Sequence, residues 1–330
     1  MNRIAGLLSA AVLFAAALGA CASPKTVRPA ATPAAGGAAE QVNIFVDLYD
    51  LWKLNMQDGT YSADFAVMTV WKGDLAPEIE IMNGSEKKAE FQPDYPDTNG
   101  YHVRPARYEV EFRSDLNFAN YPLDRQTLKL VLESKVLETD KMVFFTRPKQ
   151  NKFYSPPHLI GWEVHEPDCR VETKTYDQET VAGVVEHFPY SRLVCNVVIE
   201  RSQRLRLLFK LAIPLLISVL LVFVGFILPP EKTDTRFTIA VASVFGVLGS
   251  QLIYQQSLPP IASIVLIEWV HIIGLLTVLS VLCVYAWSAR LAGQAKPRET
   301  IAAWERKGLK YAICVFAGCN LLLLVSRLLF

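Results

Sequence analysis

Residues 234–259, DTRFTIAVASVFGVLGSQLIYQQSLP, decide how the rest of the chain is interpreted. Between residues 237 and 253 the segment is apolar enough to cross a bilayer, which favours a transmembrane helix. Small, hydroxyl and amide residues are nevertheless spread through it, namely Thr238, Ser243, Gly246, Gly249, Ser250 and Gln251. Such residues are typical of a helix that packs against other helices or faces water.

Helical spacing places six residues of this segment on one face. They recur at steps of four and three, and they are Thr238, Ala242, Phe245, Gly249, Leu252 and Gln256. A ring of such helices would have polar mouths and a constriction at Phe245 and Leu252 that closes by excluding water. The same stripe is equally compatible with helix–helix packing in a compact bundle.

Length and charge set limits on the class of protein. The chain has 330 residues, 52% of them hydrophobic, and its 33 basic residues nearly balance its 32 acidic ones. This length accommodates two domains. The charge balance gives no indication of a nucleic acid partner, since that typically requires a basic surface.

The chain begins with a segment that resembles a targeting signal. An early Arg3, an apolar run and small residues predict a secretory signal peptide over residues 1–22. Cys21 also fits a lipoprotein cleavage site, at which it would be lipidated, and the sequence favours ordinary cleavage only slightly. Residues 23–40 are rich in Ala, Pro, Thr and Gly and predict a flexible linker.

Residues 41–204 predict a β-domain. Runs such as TYSADFAVMTVW, QTLKLVLES and RLVCNVVIE alternate or cluster apolar residues, and Asp-Gly, Asn-Gly and Pro pairs separate such runs. Many short strands joined by turns indicate an antiparallel, immunoglobulin-like β-sandwich.

Four apolar segments follow, at residues 205–228, 235–255, 261–289 and 310–330, and each reaches the ~20 residues that crossing hydrocarbon requires. Lys and Arg cluster in the first and third connecting loops, whereas the QQSLPPIAS loop has none. By the positive-inside rule, the charged loops are cytoplasmic and the β-domain is periplasmic. The sequence therefore predicts an α+β membrane protein of the bacterial inner membrane, with a β-sandwich followed by a four-helix transmembrane domain.

Two cysteines lie in predicted strands of the β-domain. Cys169 and Cys195 flank a loop, and they would face each other if their strands form one hairpin. In an oxidising compartment, a disulfide and two separate buried thiols are equally compatible with this arrangement. We expect no metal site and no cofactor, because no second Cys or His pair has the spacing of a ligand set.

Several motifs occur in a characteristic order along the chain. Residues 121–126, YPLDRQ, have the pattern aromatic-Pro-hydrophobic-Asp-x-Gln, and residues 161–163 are Gly-Trp-Glu. Arg236 opens the second apolar segment and Pro259 closes it. With these motifs, the chain from residue 42 to residue 330 resembles the pentameric ligand-gated ion channels (the Cys-loop receptor superfamily), in particular their bacterial members.

The resemblance implies a homopentamer in which the second span of each subunit lines a pathway for inorganic ions. The implied pore-lining residues are Asp234, Thr238, Ala242, Phe245, Gly249, Leu252 and Gln256. Asp234, with Glu231 nearby, would form an acidic ring at the cytoplasmic mouth, which predicts cation selectivity. Arg236 would oppose this field if it pointed into the lumen, but in the family this residue usually points away.

The resemblance also implies a contact that couples the sandwich to the pore. The turn of Tyr121, Pro122 and Asp124 would press towards the loop that contains Pro259, and Asp124 would pair with Arg201. The alternative is a solvated surface turn beside a lipid-facing arginine.

The sequence departs from the family at the usual agonist pocket. The cysteines that name the superfamily would fall at Ser114 and Leu128, and part of the aromatic cage that holds an ammonium ligand is missing. The remaining candidate ligand contacts are Lys135, Tyr176, Phe188 and Tyr190. Ordinary strand packing explains the aromatic ones more simply. The agonist, a small molecule or a proton, is not identified.

Two functions of other classes compete with the channel. In the first, the sandwich is a periplasmic ligand sensor, and the helices only anchor or oligomerise it without conducting ions. The second, a membrane enzyme, is disfavoured, because the chain contains no H-E-x-x-H, no G-x-S-x-G and no phosphate-binding glycine loop.

Overall fold

Strands form the first part of the chain and helices the second. The computed structural model describes residues 39–96, 99–179, 185–256, 258–259 and 263–329. The predicted signal peptide, Cys21 and nearly all of the predicted linker lie outside these residues. The order of elements confirms the predicted α+β class, in which a β-sandwich precedes four helices long and apolar enough to cross a membrane.

Twelve strands in two sheets form the sandwich within the described residues. They are β1 (Glu40–Asn55), β2 (Thr60–Trp71), β3 (Ile79–Ile81), β4 (Gly84–Phe91), β5 (Tyr95–Pro96), β6 (His102–Arg113), β7 (Arg125–Glu138), β8 (Met142–Phe145), β9 (Lys152–Phe153), β10 (Trp162–Val164), β11 (Asp168–Glu179) and β12 (Val185–Arg201). One sheet has the order β4-β6-β2-β1-β8, with β5 beside β6 and β9 beside β1. The other has the order β10-β12-β7-β3, with β11 beside β12. The described pairs are antiparallel except for those of β1 with β8 and β9.

Alternating residues of the strands build the core between the sheets. In β2, Ala63, Phe65 and Val67 are buried and the residues between them are only partly so, because successive side chains of a strand point to opposite faces. The Phe65 ring lies 5.6 Å from the ring of Tyr108 and 5.8 Å from that of Phe112, both in β6. The period-two pattern of the sequence therefore becomes a packed aromatic core.

A disulfide joins Cys169 and Cys195 across β11 and β12. The two residues are direct partners in the ladder and both are buried. Because β12 leads directly into the first helix, the bond fastens β11 to the strand that enters the helical domain.

Four helices follow the sandwich. They are α1 (Arg204–Val224, continued by a short 3-10 turn at Gly225–Ile227), α2 (Thr233–Gln255), α3 (Leu266–Gly293) and α4 (Arg298–Leu329). Helix α3 is central and α4 peripheral, since 39% of the apolar stretch of α3 is buried within the chain against 6% for α4. Gly246 lets α2 approach α1 closely, because a Cβ at this position would collide with the hydroxyl of Ser218.

Two helices begin at residues other than those that hydropathy indicates. Helix α3 begins at Leu266 rather than at residue 261, because Val265 has an extended backbone (φ −89°, ψ 163°) and the described residues before it are not helical. Helix α4 begins at Arg298 rather than at residue 310. Its first turns, RETIAAWERKGL, are rich in good helix formers and follow Pro297, so the helix extends well beyond its apolar part.

We predict that Phe65→Ala lowers the free energy of unfolding of the sandwich by about 3–5 kcal/mol, because it leaves a cavity in the core. Phe91→Ala is the matched control, since Phe91 is 68% exposed, and it should cost less than about 1 kcal/mol. Chemical denaturation of the full chain in detergent, followed by the β-sheet circular dichroism signal, measures both. Equal losses would contradict the central position of Phe65.

Candidate functional site

Helix α2 has one face that no other described part of the chain covers. All seven residues predicted to line a pore are exposed there, namely Asp234, Thr238, Ala242, Phe245, Gly249, Leu252 and Gln256. Phe245 is 68% exposed and Leu252 62%. Helices α1 and α3 therefore pack elsewhere on α2.

The opposite face of α2 is buried in the bundle. Its buried residues are Arg236, Ala240, Ser243, Val247, Ser250 and Tyr254. The hydroxyl of Ser250 lies 2.9 Å from Nε2 of His271 in α3, whose ring centre lies 4.8 Å from that of Tyr254. Ser243 and Ser250 thus serve packing within the subunit. Packing within the subunit thus explains this face, and the seven residues predicted to line a pore lie on the other one.

Arg236 points into the bundle at the end of α2 that is distal to the sandwich. Its guanidinium pairs with the carboxylate of Glu305 in α4, with Nη1 and Oε1 2.5 Å apart, and it also donates to the carbonyl of Leu228. The ring centre of Tyr285 lies 5.3 Å from the guanidinium carbon. The hydroxyl of Ser288 donates to the same carboxylate. Arg236 is therefore directed away from the exposed face of α2.

Two acidic residues lie exposed at the same distal end. Asp234 is in the first turn of α2, where the partial positive charge of the helix N-terminus favours a carboxylate. Glu231 Oε1 lies 3.2 Å from Nη2 of Arg298, in an ion pair exposed to solvent. Such surface pairs contribute little free energy, so Glu231 is only weakly held.

A buried ion pair joins the sandwich to the strand that leads into the membrane helices. The side chain of Asp124 is only 1% exposed, and its Oδ1 accepts a hydrogen bond from Nε of Arg201 at 2.8 Å. Its Oδ2 accepts from Nε2 of Gln126 at 2.6 Å. The guanidinium carbon of Arg201 also lies 5.0 Å from the ring centre of Tyr121 and 4.4 Å from that of Trp162. The arginine is thus held by both charge and aromatic faces.

Residues 118–123 insert between the sandwich and α3. The N–H groups of Leu266 and Ile267, at the start of α3, donate to the carbonyls of Ala119 (3.0 Å) and Tyr121 (3.3 Å). The first N–H groups of a helix have no partner within it, so these bonds satisfy donors in an apolar place. The bond between Tyr121 and Pro122 is cis. The turn is therefore a structural part of both domains.

Two further contacts cross the junction. Nε2 of Gln57, in the turn after β1, donates to the carbonyl of Gln256 at the end of α2 (3.2 Å). Nη1 of Arg327, near the end of α4, donates to Oδ1 of Asn120 (3.2 Å). The loop predicted to meet the turn is described only at residues 258–259 and from 263 on. Pro259 is half-buried, and its neighbour Leu258 is buried in the same apolar cluster as Tyr121.

Three of the candidate ligand contacts lie on the β11–β12 hairpin. Tyr176 faces Phe188 across the ladder, and its ring centre lies 6.0 Å from that of Tyr190. The phenol of Tyr176 donates to Oε1 of Glu133 (3.0 Å) and accepts from Nη2 of Arg192 (2.7 Å). Partial burial raises the pKa of Tyr176, and its hydrogen bond to Glu133 raises it further. The hydroxyl therefore remains protonated and ties the hairpin to β7.

Lys135, the fourth candidate, lines a cleft of ≈ 300 Å³ at one end of the sandwich. Its Nζ lies 3.4 Å from Oε2 of Glu78, which lines the same cleft. Arg104 is also in the wall, where Asp94 forms a bidentate pair with it and raises its pKa. Among the described residues of the cleft, Lys135 is the one that sequence analysis had selected.

Sequence analysis did not assign roles to three residues of these sites. Gln126 and Trp162 stand inside quoted motifs, so their motifs could have indicated their part in holding Asp124 and Arg201. Glu305 lies in a charged segment, WERKG, that is typical of a solvated helix face. Only the packing of α4 against α3 brings it to Arg236.

Comparison with protein-family models and with curated protein sequences finds no match for this chain. The architecture itself is a β-rich domain followed by four apolar helices, as in a multi-pass membrane protein. This layout is compatible with a membrane receptor or channel, and with that of the pentameric ligand-gated ion channels.

We predict that Asp124→Asn lowers the free energy of unfolding by about 3 kcal/mol, because it leaves the guanidinium of Arg201 buried without a counter-charge. Thermal or chemical unfolding of the detergent-solubilised chain measures the change. The double variant Asp124→Asn/Arg201→Gln should lose less than the sum of the two single losses, since the two groups interact directly.

The control for this cycle is an ion pair on the surface. Glu78→Gln removes a carboxylate whose pair with Lys135 is more than half exposed, and it should cost at most about 1 kcal/mol. Additive losses at Asp124 and Arg201 would show that their ion pair does not hold the junction.

Proposed function

We propose that the protein is the subunit of a homopentameric, cation-selective ligand-gated ion channel of the bacterial inner membrane, with its β-sandwich in the periplasm. The observation that carries the proposal is the uncovered face of α2. It has Asp234 and Thr238 at one end, Gln256 at the other, and Phe245 and Leu252 between them.

A face of this composition is poorly matched to lipid alone. The polar groups at both ends lose hydration and the small Gly249 in the middle makes few contacts if this face meets acyl chains, whereas a water-filled path can solvate the polar ends. Because α1 and α3 cover the opposite face, further copies of the chain are the natural partners for this one. In a ring, Phe245 would form the narrowest, driest level.

The charges at the distal end support cation selectivity. Asp234 is exposed on the uncovered face, and Arg236, the one cation within α2, is directed into the bundle. In a ring, the acidic side chains would concentrate cations at the cytoplasmic mouth. Glu231 would add to this field to the extent that its surface pair with Arg298 dissociates.

The junction supports the coupling of a ligand signal to the helices. A displacement of β12, which carries Arg201, would act on Asp124 and through residues 118–123 on the start of α3. In the proposal, the β11–β12 hairpin, with Tyr176, Phe188 and Tyr190, and the cleft at Lys135 are the places at which a small-molecule or proton agonist would act.

The deciding experiment is an image of the detergent-purified assembly along its axis. We predict five subunits with α2 innermost and Phe245 at the constriction. A monomer, an open oligomer, or a ring with the Phe245 face turned outwards would instead favour the non-conducting periplasmic sensor.

We predict that Phe245→Ala raises the basal flux of Na⁺ into vesicles reconstituted with the protein, because it removes a ring of phenyl groups that keeps the closed path dry. Flux of a radioactive or fluorescent reporter of Na⁺, measured without any added ligand, gives the rate.

Phe209→Ala is the matched control, because Phe209 is 63% exposed on α1, where no pore is proposed. It should leave the flux at the wild-type level. Assembled Phe245→Ala rings with wild-type flux would count against the proposed path.

A further inference from the structure

Glu305 is held inside the helical domain by groups from two other helices. Its carboxylate accepts hydrogen bonds from the guanidinium of Arg236 in α2 and from the hydroxyl of Ser288 in α3. The side chain of Arg236 is 2% exposed and that of Glu305 12%. A charged residue of the peripheral helix α4 thus determines where the only buried cation among the described residues of α2 is placed.

We propose that Glu305 is a positioning residue for ion selectivity, which keeps Arg236 away from the cytoplasmic mouth of the path. The inference rests on the proposed channel function. In a ring, the pair keeps Arg236 from offsetting the negative charge of Asp234, so that the exposed Lys232 at the N-cap of α2 is the one cation next to it in sequence. Glu305 would therefore bias the path towards cations without facing the path itself.

The geometry of α2 explains why the carboxylate is needed. Arg236 stands two residues after Asp234, about 200° around the helix, and ~4.5 Å along the axis from the first helical residue. A buried guanidinium that loses its partner is strongly destabilised, and long cationic side chains reach for the nearest water. Because Arg236 is in the first turn, that water is at the same end of α2 as Asp234, although on the other side of the helix.

The expected consequence is a change of selectivity. A positive charge released at the same end of each α2 would oppose the field of the acidic ring at the mouth. A unit charge at ~4 Å in water alters the local concentration of a monovalent ion about fivefold, so we expect the ratio of Na⁺ to Cl⁻ permeability to fall by about that factor.

The test uses Glu305→Gln in the full-length Phe245→Ala background, which conducts without a known agonist. Reversal potentials of purified protein in planar bilayers under a NaCl gradient give the permeability ratio. Glu305→Gln should lower the ratio about fivefold. The double variant Arg236→Gln/Glu305→Gln should restore it, because the displaced cation is gone. Glu299→Gln, an exposed carboxylate in the first turn of the same helix, is the matched control and should change nothing.

The outcomes separate the inference from the function on which it rests. An unchanged ratio in assembled Glu305→Gln rings overturns the inference alone, and so does a double variant with the same fall as the single one. Absence of any conductance in the Phe245→Ala background overturns the proposed channel and the inference with it. If Glu305→Gln does not assemble, Glu305→Asp replaces it, and its shorter side chain should lower the ratio by a smaller factor, whereas an unchanged ratio overturns the inference.

Discussion

The structure depends on a carboxylate, Asp124, that is kept almost without contact with water. A buried charge is tolerated only when it is paired and hydrogen-bonded, so the residues around it must supply a counter-charge and hydrogen-bond donors. Arg201 supplies the counter-charge and Gln126 the second donor. Because Arg201 ends β12 just before α1 begins, and because the turn next to Asp124 satisfies the first N–H groups of α3, this one group links the sandwich with two helices.

The same constraint acts a second time at the other end of the helices. Arg236 is buried and paired with Glu305, so that α2 is attached to α4 at its distal end and to the sandwich through Gln57 at its near end. Both attachments use the buried face or the terminus of α2. The face with Phe245 is exposed rather than packed against the described residues of its own subunit, so its composition is not determined by packing within the subunit.

Local patterns predicted the class of fold, the four helices and the common face of the α2 stripe, because alternation and helical spacing are properties of short stretches of chain. The pair of Asp124 and Arg201 was inferred from a motif instead. Three things were beyond reach. The parallel strands β8 and β9 beside β1 are too short to show their partner. The first turns of α4 are charged and lower the mean hydropathy there, so a hydropathy window misses the start of the helix. Glu305 meets Arg236 only through packing between residues far apart in sequence.

The contact of Arg327 with Asn120 has a consequence for biosynthesis. These residues are separated by 207 positions, and one of them lies almost at the carboxyl end. The strands of the sandwich are complete once Arg201 has been made, whereas the contact between Arg327 and Asn120 forms only after α4 has been made. At ~5–20 residues per second, the interval is roughly ten seconds. A ribosome-bound chain therefore passes through a stage in which the sandwich is complete but the helical domain still lacks α4, and quality control could recognise that stage.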